Sequence, residues 1–66
     1  MNPIDIALRI ATAAHAGQTD RDGCPVILHP LAVGLMGHTD EEKIAGFLHD
    51  VVEDESLTRK ILLHYK

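Results

Sequence analysis

Between Ile44 and Asp54 the chain reads IAGFLHDVVED, with apolar residues at i, i+3, i+4, i+7 and i+8. At about 100° per residue, Ile44, Phe47, Leu48, Val51 and Val52 share one side of a helix, and such a stripe must pack on something. His49, Asp50 and Glu53 fall on the other side, with Gly46 among them. His49 and Glu53 stand one turn apart, as do Asp50 and Asp54. No Lys or Arg within the stretch balances these acids. Imidazoles and carboxylates are the donors of a divalent-ion site. A merely solvated acidic face is the competing reading, and the helix alone leaves the two level.

Length narrows the choices. Sixty-six residues make one small domain, and a chain of that size buries only about 60% of its unfolded surface. Cys24 is the single cysteine, so neither an internal disulfide nor a Cys-based structural zinc is available as a staple. With 45% apolar residues, the chain is expected to build a compact helical core or to borrow surface from a partner, most simply as a homodimer. A truncated piece of something longer is an equal expectation. The net charge of −4 leaves no basic stripe for phosphates, and only Phe47 and Tyr65 could stack on bases, which argues against nucleic acid as a partner. The opening MNPIDIALRI lacks a basic region followed by an apolar run, so no signal peptide is expected. No stretch approaches the roughly 18 apolar residues of a membrane span. A free thiol without an export signal suggests a cytoplasmic protein.

In chain order, Asn2 and Pro3 open a first helix as N-cap and first helical residue. Ile4, Ala7, Leu8, Ala11 and Ala14 form its buried stripe, widened by Ile6, Ile10 and Ala13, and Gly17 ends it. His15, in its last turn, reads as structural. Gln18 to Leu28 is a loop crowded with turn formers, and Arg21 is the only cation between Arg9 and Lys43. Val26, Ile27 and Leu28 anchor that loop to the core. A second helix is expected to start with Pro30 at its first position and His29 just outside, kept short by Gly34 and Gly37. Thr39 to Glu42 reads as a capping box for the central helix. Ser56 is expected to cap a last helix carrying Leu57, Ile61, Leu62 and Tyr65, with Arg59, Lys60, His64 and Lys66 as its polar side. The fold class is all-α with four helices.

Four motifs then occur in order: AHAGQ at 14–18, the 23–25 turn, ILHP at 27–30 and FLHDVVED at 47–54. Together they resemble the N-terminal half of the HD-domain phosphohydrolases, above all the RelA/SpoT-type (p)ppGpp hydrolases and their small single-domain relatives. The resemblance spans about residues 7 to 63. It implies that His29, His49 and Asp50 are metal ligands, that the metal is divalent and usually manganese, and that Glu53 and Asp54 position or activate the attacking water. Asp20 stands where those hydrolases carry a guanine-stacking Arg, and Arg21 where they have a second basic residue. Val26 replaces an aromatic residue, and the last metal ligand of the family, a downstream Asp, would lie beyond Lys66.

The expected function is therefore divalent-metal-dependent hydrolysis of a phosphate or pyrophosphate ester, with a nucleotide as small-molecule substrate and Arg21 as its basic contact. A single HD domain spanning 1–66, whole or truncated before the final ligand, is the expected organisation, and the 66 residues alone are expected to show weak or no hydrolysis. The competing expectation is a non-catalytic helical module, working by binding or assembly with an incomplete metal site.

Overall fold

The computed structural model describes residues 2–65. They form four helices: α1 (Pro3–His15), α2 (Leu28–Leu35), α3 (Asp40–Glu53) and α4 (Glu55–His64). Beyond an isolated bridge between Thr19 and Pro25, there is no β-structure among the described residues. None of these helices is long and apolar enough to cross a membrane. Lys66, expected on the polar side of the last helix, lies outside the described residues.

The helix starts follow local chemistry. Asn2 Oδ1 accepts the Ile4 amide at 2.8 Å ahead of Pro3, satisfying a donor that the first turn leaves open. At the other end of α1, Gly17 adopts φ +79°, the left-handed conformation a glycine accepts without strain. Thr39 and Glu42 complete the expected capping box. Thr39 Oγ1 accepts the Glu42 amide at 3.1 Å, and Glu42 Oε1 accepts the His38 and Thr39 amides at 2.7 and 3.3 Å.

Two starts differ from expectation. α2 begins at Leu28, so His29 lies inside its first turn and Pro30 is its third residue. Turns carried in from the loop, Leu28 N to Pro25 O and His29 N to Val26 O, start the helix early. Pro30 costs nothing there, since the first-turn amides have no intrahelical acceptor. α4 is capped by Asp54 and not Ser56: Asp54 Oδ1 accepts the amides of Ser56 and Leu57 and the Ser56 hydroxyl.

α3 packs against all three other helices. Phe47 and Val51 are its buried residues. Phe47 joins Ala7 and Ala11 in one cluster, with Ile4, Leu8, Ile27, Leu31, Ile44 and Leu48 partly buried around it. Val51 joins Ala14 and Leu57 in a second, flanked by Ile10 and Ile61. Val52, expected in the stripe, is 72% exposed. It lies about 140° round the helix from Phe47, beyond the packed arc. That arc is rotated the other way, toward Gly46, which the pattern had placed on the polar side. Leu62, Tyr65 and Ile6 are likewise exposed, so the outer faces of α4 and α1 are less buried than their apolar residues suggest.

The rotation has a cause. A Cβ on Gly46 would fall 2.6 Å from the Cα of Gly34, and a Cβ on Gly34 would fall 2.2 Å from the Phe47 ring. The two glycines thus let α2 and α3 cross at backbone contact. Near the turn, Gly37 faces Glu42 and Lys43, so the helices run antiparallel, and the start of α2 lies toward the end of α3. Gly46→Ala is expected to destabilise by about 1–3 kcal/mol, because overpacking against backbone outweighs the helix-propensity gain of about 1 kcal/mol. Urea unfolding checks this; a raised midpoint would show that the helices have room to part.

Candidate functional site

The end of α3 meets the end of α1 and the base of the 18–26 loop at a cleft of about 510 Å³. Asp50, Glu53, Asp54 and Glu55 line it on one side, His15 and Gln18 on the other, with Val26 and Leu57 completing the wall. Asp50 is the least exposed of the α3 acids because it falls about 60° from Phe47, at the edge of the packed arc. Its side chain is 39% exposed, against 66% for Glu53 and 60% for His49.

His49 is bracketed by carboxylates. Its Nδ1 lies 3.1 Å from Asp50 Oδ1, and its Nε2 lies 3.4 Å from Glu53 Oε1, one turn on. His29 is exposed in the first turn of α2. Neither histidine lines the cleft. Among the described residues, no three of His, Cys, Asp and Glu gather in a group that could hold an ion. His29, His49 and Asp50 are not gathered into one such group among the described residues; His49 turns both nitrogens to its own helix's acids, and His29 lies in the first turn of α2. As residue types, two imidazoles and a carboxylate suit a divalent ion, and both imidazoles are exposed.

Asp54 Oδ1 caps α4, and the carboxyl is held below the ordinary Asp value, first by the Ser56 hydroxyl and then by the Ser56 amide. The Leu57 amide and the nearby His15 act in the same direction, while burial opposes them. The charge of Asp54 is therefore secured by the same bonds that start α4.

The loop carries Arg21 at its tip. Val26 N donates to Gln18 O at 3.0 Å and Asp20 N to Cys24 O at 2.8 Å, closing the base. Asp20 Oδ1 accepts the amides of Asp22 and Cys24 at 2.9 and 3.0 Å, and Gly23 turns the chain at φ +83°. Asp20 thus builds the loop. Arg21 is exposed and in no ion pair among the described residues. The loop's base lines the cleft through Gln18 and Val26, and Arg21 does not line it.

Sequence reasoning read His15 as structural, and it is buried. It missed that His15 and Gln18 face the acids of α3. The signal was present: residues 4, 8, 11 and 15 continue one helical stripe, which directs His15 inward. It also missed Lys60, whose Nζ donates to Ala14 O at 3.0 Å and Ala16 O at 3.3 Å. That side chain binds the open carbonyls at the end of α1 and fixes α4 beside the cleft.

Among curated proteins, the chain is 47% identical over 51 residues to a putative chloroplastic GTP diphosphokinase of Arabidopsis thaliana, covering 71% of this chain and 6% of that protein. It is 44% identical over 57 residues to a guanosine-3′,5′-bis(diphosphate) 3′-pyrophosphohydrolase of Haemophilus influenzae, covering 80% of this chain and 8% of the relative. It is 40% identical over 58 residues to a GTP pyrophosphokinase of Streptomyces coelicolor, covering 82% and 7% respectively. The chain thus spans less than a tenth of the length of these relatives. No protein-family model matches it, and no solved structure does.

Proposed function

We propose that this chain, which belongs to the RelA/SpoT family over the segment it shares with these relatives, carries the ligand-bearing part of an HD-type, divalent-metal-dependent phosphohydrolase site. The substrate class is a phosphate or pyrophosphate ester of a nucleotide, with guanosine 3′,5′-bis(diphosphate) the compound named for the hydrolase relatives. The relatives' names divide between pyrophosphokinases and pyrophosphohydrolases, so similarity alone does not choose between them. The cleft favours hydrolysis: four carboxylates line it and, among the described residues, neither Lys nor Arg does. Such a lining suits handling a water and a cation better than cradling the phosphates of a nucleotide donor.

In this reading His29, His49 and Asp50 would hold the ion, manganese by family resemblance. When bound, such an ion supplies Lewis acidity and makes a coordinated water more acidic. Glu53, exposed at the cleft rim, takes a proton from the nucleophile. Asp54 stays ionised through its capping bonds and offers a fixed acceptor. Arg21 meets the anionic substrate from the loop tip.

The test joins binding to turnover. Manganese added to the labelled chain is expected to broaden the NMR signals of His29, His49 and Asp50 first, and pyrophosphate release from guanosine 3′,5′-bis(diphosphate) is expected to require His49. If neither binding nor release occurs, the second reading holds: a non-catalytic helical module. The pairing of both His49 nitrogens with neighbouring carboxylates is the observation in its favour.

A further inference from the structure

The two walls of the cleft are tied unequally. The acidic wall is braced: Asp54 alone joins α3 to α4 and caps α4, and Thr58 Oγ1 donates to Val51 O at 2.6 Å, holding α4 on α3. The facing wall hangs in series from the end of α1. Gln18 N donates to His15 O and Val26 N to Gln18 O, each at 3.0 Å, so Val26 follows Gln18 and Gln18 follows the helix end. Ala14, packed with Val51 and Leu57, holds α1 near α3 and α4 by apolar contact, which has no direction. Directed contacts across the gap come from Lys60. The last turn of a helix leaves its carbonyls open. The loop uses that of His15, and Lys60 Nζ takes those of Ala14 and Ala16 on either side of it. The register of α4 places Lys60 for this role. It falls about 160° round the helix from the α3-facing Thr58, with Leu57 and Ile61 between them.

We infer that Lys60 is a positioning residue of the cleft: its ammonium, bridging the carbonyls of Ala14 and Ala16, sets the wall of Gln18 and Val26 against the acids of α3 and Asp54. An ammonium on a four-carbon stem suits the task. Its three rotatable donors reach two carbonyls at once, and its charge complements the negative end of α1. Removing it releases one wall only. Ala14 O and Ala16 O turn to water and the end of α1 loosens with the loop base, while Asp54 and Thr58 keep α4 on α3. On the hydrolase reading above, on which this consequence rests, Asp50, Glu53 and Asp54 stay in place and the opposite wall no longer confines the substrate. The loss therefore falls on KM, as when an interaction common to ground and transition state is removed, whereas loss of Glu53 falls on kcat.

Lys60→Met, which keeps a long stem and loses the donors, and Lys60→Arg, which keeps donors and charge, test this in the 66-residue chain. In Lys60→Met the amides of Gln18 and Val26 are expected to exchange hydrogen about 10-fold faster, the effect of losing a charge-assisted hydrogen bond. The amides of Ser56 and Leu57, held by the Asp54 cap, exchange as in wild type. KM for guanosine 3′,5′-bis(diphosphate) rises by about 10-fold with kcat within about 2-fold of wild type, and Lys60→Arg restores both exchange and KM. A lysine that only stabilised the fold would speed exchange on both walls and lower kcat through unfolded enzyme. Unchanged exchange at Gln18 and Val26, equal acceleration on both walls, no rescue by Arg, or a fall in kcat at constant KM overturns the proposal. Should Lys60→Met not fold, the wild type decides: NMR couplings from the Lys60 ammonium nitrogen to the Ala14 or Ala16 carbonyl carbon support the bridge, and their absence overturns it. If the wild type turns nothing over, selective exchange at Gln18 and Val26 still supports the positioning and the hydrolase reading alone falls; turnover with unselective exchange does the reverse.

Discussion

Replacing Phe47 with alanine is expected to lower the unfolding free energy by about 3–5 kcal/mol, enough to leave the chain largely unfolded at 25 °C. Phe47 is 1% exposed and is one of the two largest fully buried side chains. Its fully buried neighbours are too small to fill the space it would leave: Ala7 and Ala11 in its own cluster, and Gly34, which meets it on the α2 side. A core in a chain of this size rarely supplies more than about 3–5 kcal/mol in total, so one cavity consumes it. Leu48, grouped with Phe47 by the pattern, is only partly buried, and its truncation should cost less. Val52→Ala should lie within about 0.5 kcal/mol of wild type, since Val52 faces solvent. Urea unfolding followed by circular dichroism ranks the three. Equal losses for Phe47→Ala and Val52→Ala would mean that the packed arc of α3 is not the one described.

That ranking also shows how far the sequence could be read. Caps, helix ends and the inward residues of α1 were legible because each depends on neighbours a few positions away: Asn2 on Ile4, Thr39 on Glu42, Gly17 on its own φ. The rotation of α3 was not. A five-residue apolar stripe spans about 140° of helix, and nothing local says which edge is covered. The answer lay in Gly34 and Gly46, twelve residues apart, whose missing side chains matter only once the helices cross. The cap of α4 was misassigned for a related reason. Asp54 and Ser56 are both good caps, and the choice depends on where α3 stops. The site residues were legible as chemistry, through the His-Asp pair and the acids one turn on. Their arrangement was less so, because whether His29 lies inside or outside α2 is decided by turns carried in from the loop.

Glu53→Gln separates chemistry from architecture. On the proposed function it should reduce hydrolysis by about 10²–10⁴-fold, the range that a positioned acid or base contributes, while the urea midpoint stays at the wild-type value. The second half follows from placement. The Glu53 side chain is 66% exposed, and among the described residues its one charged contact is the 3.4 Å approach to an exposed His49, a class of contact that contributes little to stability. Glutamine keeps the shape and loses only the charge and the basic oxygen. Asp54 is the contrasting case, because its carboxylate caps α4, so any loss of activity on replacing it would mix catalysis with unfolding. Glu53 carries no such double duty, which makes it the cleaner probe of the two adjacent acids. Pyrophosphate release and urea unfolding, measured on the same preparation, give both numbers. A variant with wild-type turnover would remove Glu53 from the chemistry, and one with a collapsed midpoint would show a structural carboxylate in its place.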